Sequence, residues 1–261
     1  MVGLPAFDRY IGIDYSGAET PKSSLKGLRV YMADRNGPPT EVPPPPSPRK
    51  YWTRREIADW LVERLSEKQP ALVGIDHGFS FPLRYFDEHH LLHDWPTFLD
   101  DFQRHWPTDD DFNYVQSVRD GACGNGAARC GDARWRRVSE KRAGAKSVFH
   151  FDVQGSVAKS THAGLPWLRY IRLRVPGVHF WPFDGWHVPA GRSVVAEVYP
   201  SLWSRGIARE DRNDHQHDAF FVAEWIRRAD LDGRLSDFFA PTLSPAEQTA
   251  ASIEGWILGI K

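Results

Sequence analysis

Short apolar runs alternate with amphipathic stretches along much of the chain, which is the pattern of an α/β protein. Residues 9–15, 28–33 and 71–75 are strand-like, and the last run is apolar throughout, as in a strand buried on both faces. Before that run, Thr53 and Glu56 have the spacing of a capping box that opens a helix. A helix followed by a buried strand predicts a βαβ unit.

The pattern resumes in the second half of the chain. It predicts a helix that begins near Ser156 and runs through residues 168–173, and a strand over residues 192–198. Apolar positions at core spacing predict a further helix from Asp214 onward, and Ser244 followed by a proline caps a last helix. We therefore expect a single α/β domain over residues 1–261, with a mixed central sheet flanked by helices.

Residues 84–150 interrupt this rhythm, and we interpret them as a partly helical, irregular insertion at one edge of the sheet. Residues 84–113 carry eight acidic side chains against two arginines, whereas residues 114–146 carry eight basic side chains against three acidic ones. The two halves pair with each other, or the basic half, with Trp135 among its cations, contacts a phosphate backbone. The sequence leaves both readings open.

Composition excludes some classes of protein. The formal net charge of −1 gives no overall attraction to nucleic acid or to a membrane surface. No apolar run approaches the roughly 20 residues of a membrane span. The first residues do not have the pattern of a signal peptide, so a cytoplasmic protein without a membrane partner is expected.

Four acidic residues stand where predicted elements begin or end. Asp14 and Asp76 close two similar strands that both contain Gly-Ile-Asp, Glu197 follows the strand-like run after Ser193, and Asp218 lies early in a predicted helix. Ligands of open α/β sheets gather at the carboxyl ends of the strands. Carboxylate clusters hold hard divalent cations, and one or two Mg²⁺ or Mn²⁺ ions are therefore expected there.

Several short blocks of the chain carry a family resemblance. They are Ile11-Gly12-Ile13-Asp14, Gly74-Ile75-Asp76 with Phe81-Pro82 beyond it, Glu197-Val198-Tyr199-Pro200, His217-Asp218-Ala219 with Ala223, and Glu254-Gly255-Trp256-Ile257-Leu258-Gly259. In their order and spacing these blocks resemble domain-of-unknown-function family 429, which is grouped with predicted nucleases of the ribonuclease H-like fold.

The resemblance implies a ribonuclease H-like sheet and acids placed like those of two-metal nucleases. It implies Asp14, Asp76, Glu197 and Asp218 as metal ligands and catalytic residues. His215 and His217 lie beside Asp218 and are both candidates to move a proton, and we predict His217 as the catalytic one. The predicted substrate contacts, chosen as hydroxyl or basic groups that suit phosphate, are Ser16, Arg137, Arg142, Lys146 and Lys159.

These residues lead to one favoured function and two alternatives. The favoured function is metal-dependent hydrolysis of phosphodiester bonds in a nucleic acid. A non-catalytic nucleic-acid or protein binding module on the same fold is the second, because the near-neutral net charge is unlike the basic surface of most nucleases. An actin-like nucleotide phosphotransferase, with residues 14–17 as its phosphate loop, is the third, although the chain has no Gly-Gly pair.

Overall fold

A six-stranded mixed sheet runs through the protein, which a computed structural model describes over residues 6–261, the side chain of Arg205 excepted. The strands are β1 (Arg9–Tyr15), β2 (Leu28–Asp34), β3 (Thr40–Glu41), β4 (Ala71–Asp76), β5 (His179–Trp181) and β6 (Val194–Glu197). Their order across the sheet is β3-β2-β1-β4-β6-β5. Strand β2 runs antiparallel to both neighbours, whereas β1, β4, β6 and β5 are mutually parallel. The predicted mixed α/β sheet is therefore confirmed.

Helices cover both faces of this sheet. They are α1 (Arg54–Leu65), α2 (Leu83–Glu88), α3 (Trp95–His105), α4 (Val115–Arg119), α5 (Val138–Ala143), α6 (Ala158–Arg174), α7 (Asp214–Leu231), α8 (Leu235–Phe239) and α9 (Pro245–Glu254). Helices α1, α3 and α6 share one core with alternate residues of the strands. Helix α7 and the C-terminal segment share a second core with the residues in between. No helix within residues 6–261 is long and apolar enough to cross a membrane.

Two helices begin close to where the sequence pattern predicts. Helix α6 begins at Ala158, close to the predicted start near Ser156, and runs to Arg174. Helix α7 begins as predicted at Asp214, where Asn213 caps it through a reciprocal bond with Gln216. Asp218 consequently lies one turn inside the helix.

A pair of glycines lets α7 lie directly on the sheet. Gly12 of β1 and Gly74 of β4 are register partners at the centre of the parallel pair. A Cβ atom on Gly12 would lie 2.2 Å from the carbonyl oxygen of Ala219, and one on Gly74 would lie 2.6 Å from Val222 Cγ1. The backbone of α7 therefore passes over β1 at a distance that only glycine permits. This close approach carries the first turns of α7 to the carboxyl ends of β1 and β4.

The segment 84–150 is packed rather than loose. It contains α2 to α5 and irregular connections, and its aromatic rings join those of the sheet-covering helices. His162 of α6 lies among them, with ring centroids 4.6 Å from Trp106 and 4.5 Å from Phe151. Burial lowers the pKa of His162 to about 3, so the ring is neutral. The helical, irregular character predicted for this segment agrees with the structure.

The C-terminal block that contributes to the family resemblance has a structural role. The carboxylate of Glu254 accepts hydrogen bonds from the backbone N–H groups of Leu83 and Val138, each at 2.7 Å. Those groups are the first turns of α2 and α5, where a negative charge is favoured. Further along, Leu258 N–H donates to the carbonyl of Glu197 at 2.9 Å. The block thus ties the inserted helices to the end of β6.

The contact between α7 and β1 gives a stability prediction. In Gly12→Ala the new methyl group meets backbone atoms of α7, which cannot move without displacing the helix, so we expect a loss of about 3 kcal/mol in the free energy of unfolding. Urea denaturation followed by circular dichroism measures it. Gly37→Ala is the matched control, because a Cβ there has nothing within 4 Å. Equal stability of the two variants would contradict the close approach.

Candidate carboxylate site

Three aspartates lie together at the carboxyl ends of the central strands. Asp14 and Asp76 are register partners in β1 and β4, so their side chains leave the same face of the sheet as Gly12 and Gly74. That face is the one covered by α7, which brings Asp218 to them. Burial, and then the charges of the other three predicted acids, raise the pKa of Asp76 well above its ordinary value. The structure therefore brings Asp14, Asp76 and Asp218 into one cluster.

The three aspartates differ in their hydrogen bonds. Asp14 is 2 % exposed, and its Oδ1 accepts from the backbone N–H of Ser16 at 2.9 Å. Its Oδ2 contacts Nδ1 of His215 at 2.8 Å. Asp76 and Asp218 are half-buried, and within residues 6–261 no donor forms a hydrogen bond with either carboxylate. Two carboxylates that accept no hydrogen bond, next to a third carboxylate, form a site that favours a cation.

The carboxylate of Asp218 is also repelled by neighbouring acidic side chains. Burial is the largest cause that raises its pKa to about 6. The charges of Asp14 and Asp214 also raise it, and they outweigh His215 and Arg209, which lower it. In turn, the hydrogen bond to Asp14 raises the pKa of His215. A proton or a cation is thus drawn to this cluster at neutral pH.

Glu197 lies at the same edge of the sheet but on its other face. It is the register partner of Ile75 rather than of Asp76, and side chains alternate between faces along a strand. Its two carboxylate oxygens accept from the Arg137 guanidinium at 2.5 and 2.7 Å, and Phe79 N–H donates to it at 3.0 Å. The carboxylate is therefore already neutralised by a bidentate ion pair. Its charge still contributes to the raised pKa of Asp76.

Arg137 needs a correction as a predicted phosphate contact, because the structure buries it. Its side chain is 1 % exposed and lies between Glu197 and Glu140, with Nε 2.9 Å from Glu140 Oε1. Burial opposes its charge, but the two carboxylates outweigh burial and raise the pKa of Arg137. A substrate phosphate has no access to a guanidinium held in this way.

The remaining predicted contacts are dispersed. Ser16 lies next to the cluster through its backbone bond to Asp14. Lys146 lines a small cleft that Asp76 and Glu197 also line, and its Nζ donates to the Gln154 carbonyl. Lys159 is exposed in the first turn of α6. Arg142 is held elsewhere, between α5 and α9, where it pairs with Glu247 at 2.7 Å.

His217 also needs a correction, since His215 is the histidine that contacts the carboxylates. Burial lowers the pKa of His217, partly offset by the backbone of Ser204, and its Nδ1 has no partner among the described residues. The two residues are about 200° apart around a helix, so they cannot both face Asp14. The sequence signal for His215 is its position three residues before Asp218, which places both on one side of α7.

The acidic and basic halves of the 84–150 segment pair only in part. Arg129 of the basic half contacts Asp101 of the acidic half, with Nε 2.6 Å from Oδ2. Other charges of the segment pair outside it, as Asp111 does with Arg55 at 2.8 Å. Over residues 6–261, the predicted mutual pairing therefore accounts for one ion pair between these halves rather than for the whole segment.

Larger cavities lie away from the carboxylates. One of about 780 Å³ is bordered by Phe7, Trp186 and Leu235, and Asp230 is its one acidic lining residue among the described ones. The Asp230 carboxylate already accepts from the N–H groups of Ala6 and Phe7, each at 3.0 Å. Because this carboxylate already has hydrogen-bond donors, it is not free to bind a ligand, and we place the candidate site at the three aspartates.

A metal ion fits the cluster only in part. Over residues 6–261, no three His, Cys, Asp or Glu side chains form a ready-made metal cage. The unbonded carboxylates of Asp76 and Asp218, with Asp14 beside them, nevertheless offer the hard oxygen donors that Mg²⁺ and Mn²⁺ take. Glu197 does not fit as a ligand while Arg137 holds both of its oxygens.

Comparison with known proteins adds no relative to this description. No family model matches the chain, and no curated protein and no solved structure matches it either. The site is therefore argued from its own geometry.

The raised pKa of Asp218 predicts a pH effect on stability. A carboxyl with a pKa of about 6 when folded and 3.8 ordinarily binds a proton more tightly in the folded protein, so its contribution to stability is lost as pH rises from about 4 to 6. Without metal, Asp218→Asn should melt at a higher temperature than wild type at pH 7.5 and lose this advantage near pH 4. Differential scanning fluorimetry in EDTA measures both. Asp237→Asn, an exposed aspartate of α8, is the control, and a pH-independent difference would refute the repulsion.

The buried ion pair predicts a second stability effect. Arg137→Met leaves Glu197 and Glu140 buried without their cation, so we expect a loss of about 3–5 kcal/mol in the free energy of unfolding. Chemical denaturation at pH 7.5 measures it. Arg134→Met removes an arginine whose side chain is 88 % exposed and should leave the denaturation midpoint unchanged. If Arg137→Met behaved like this control, Arg137 would not be the partner that neutralises Glu197.

Proposed function

We propose that the protein is a divalent-metal-dependent nuclease with a ribonuclease H-like fold, which hydrolyses phosphodiester bonds in nucleic acid. The mixed sheet flanked by helices and the resemblance to domain-of-unknown-function family 429 support the fold. The observation that carries the function is the half-buried carboxylate of Asp76, which accepts no hydrogen bond from residues 6–261 and lies among further acids.

The arrangement suits metal-assisted hydrolysis. When bound, Mg²⁺ or Mn²⁺ lowers the pKa of a water molecule and stabilises charge on the leaving oxygen. We assign Asp14, Asp76 and Asp218 as the residues that hold it. Glu197, the fourth acid that the resemblance implies, acts from the other face by keeping Arg137 in place.

His215 is the residue placed to move a proton. Its Nδ1 is engaged with Asp14, which orients the ring and favours its charged form. Its side chain is 37 % exposed, whereas that of Asp14 is 3 % exposed, so the imidazole is accessible to solvent. A half-exposed imidazole oriented by a carboxylate has the position of a general acid or base.

The nuclease proposal predicts metal-dependent cleavage. Purified protein incubated with labelled single-stranded DNA, RNA and branched DNA should cut at least one of them in Mn²⁺ and none in EDTA. Asp14→Asn and Asp76→Asn should each lower the rate by a factor of 100 or more, because one removed charge weakens a site with few ligands. Gel electrophoresis of the products measures the rate.

Thermal shift supplies a readout that does not depend on turnover. Mn²⁺ should raise the melting temperature of wild type and of Asp237→Asn, and should not raise that of Asp76→Asn. Cleavage that survives EDTA, or an equal Mn²⁺ shift in Asp76→Asn, would refute the proposal. Binding of nucleic acid without cleavage in any metal would indicate the binding module instead.

A further inference from the structure

Three cationic residues and a half-buried tyrosine lie beside the carboxylates, on the side of β2. They are Lys26, Arg29, Lys50 and Tyr51, and we call them the Tyr51 cluster. The guanidinium of Arg29 lies 4.7 Å from the centroid of the Tyr51 ring, and Nζ of Lys50 lies 5.4 Å from it. Arg29 Nε also donates to the Lys26 carbonyl at 3.1 Å. The side chains of Arg29 and Lys50 thus lie against the Tyr51 ring, and Lys26 is joined to Arg29 through its backbone carbonyl.

Strand register places this cluster next to Asp14. Arg29 is the direct partner of Asp14 in the antiparallel pair of β1 and β2, so both side chains leave the same face of the sheet. Lys146, which lines the cleft beside Asp76, lies on the opposite side of the acids. From β2 to β6 the distance is three strand spacings, or about 14 Å.

The backbone of Tyr51 is fixed by hydrogen bonds within the protein. Its backbone N–H and carbonyl both bond the hydroxyl of Ser24, at 3.0 and 2.8 Å. The next residue, Trp52, is 2 % exposed and anchors the segment through Nε1 to the Val42 carbonyl at 3.0 Å. Because the segment is already ordered, its backbone loses little conformational entropy when Tyr51 contacts a ligand.

Only some of the charges of the Tyr51 cluster are neutralised by ion pairs. Arg29 pairs with Glu41 at 2.9 Å, but Lys26 and Lys50 are exposed and form no ion pair with any residue of the described chain. Free lysines around an aromatic ring combine phosphate attraction with a stacking surface, which is the chemistry of single-stranded nucleic-acid binding. A duplex offers its phosphates but keeps its bases stacked inside, so the ring would have no base to contact.

We propose that the Tyr51 cluster binds a single-stranded nucleic acid and leads it to the aspartates, with a base against Tyr51 and phosphates on Lys26 and Lys50. This inference names the substrate class of the site and rests on the proposed nuclease function. The near-neutral net charge fits it, because the attraction is local to one edge of the sheet rather than spread over the surface.

Binding in the absence of metal tests the proposal separately from catalysis. Fluorescence anisotropy in EDTA would compare a labelled 15-nucleotide oligo(dT) with a 15-base-pair duplex. We expect oligo(dT) to bind more tightly than the duplex. The double variant Lys26→Glu/Lys50→Glu should weaken oligo(dT) binding by tenfold or more. It should also lower the magnitude of the slope of log K against log salt by about 1.4, for two lost phosphate contacts.

Tyr51→Leu separates stacking from charge. It should weaken oligo(dT) binding at least fivefold and leave the salt slope unchanged. Lys68→Glu is the matched control, because Lys68 is an exposed lysine just before β4, at the opposite end of that strand from Asp76. It should bind like wild type. Melting temperatures of all variants show that they are folded.

The outcomes distinguish this inference from the proposed function. Tight oligo(dT) binding that depends on the cluster, without cleavage in any metal, would retain the inference and overturn the nuclease function. Cleavage that is unaffected by the cluster variants would retain the function and overturn the inference. Preference for the duplex, equal loss in Lys68→Glu, or no binding of oligo(dT) by wild type would each overturn the inference.

Discussion

The close packing of α7 on β1 and β4 is the constraint on which the candidate site depends. Gly12 and Gly74 are register partners in the sheet. The helix backbone passes over Gly12, where a Cβ would lie 2.2 Å from the Ala219 carbonyl oxygen, and the Val222 side chain of the helix lies 2.6 Å from where a Cβ of Gly74 would be. Because the helix is this close, Asp218 and His215 reach the carboxyl ends of the same two strands. A larger residue at either position would lift the helix and separate the acids.

The acidic residues at this edge of the sheet lie on two different faces, and those on each face have a different role. Asp14 and Asp76 leave the face of the sheet that α7 covers, and Asp218 lies on α7 itself. The three carboxylates repel one another, at a cost to stability that proteins accept where function requires it. Glu197 faces the other way and is neutralised by Arg137. The ion pair also contacts the Glu254 backbone carbonyl, so the charge network joins β6 to the inserted helices.

Sequence reasoning succeeded where a residue's place follows from its own element. Asp14 and Asp76 end similar apolar runs, and parallel strands bring such ends to one edge, so their meeting was predictable. Reasoning from sequence predicted Arg137 as a phosphate contact, and of His215 and His217 it chose His217 as the histidine of the site. Both errors concern contacts between distant segments, since Glu197 is 60 residues from Arg137 and Asp14 is 201 residues from His215.

By itself the sequence determined the α/β class, the strand ends that carry the aspartates and the helical character of the 84–150 segment. Periodicity and capping are local properties, and a local pattern suffices to specify them. Only the tertiary structure decided which carboxylates remain free, which arginine is buried and which histidine contacts Asp14. Those outcomes depend on strand register and on the rotation of α7, and both are set by packing between residues far apart in the chain.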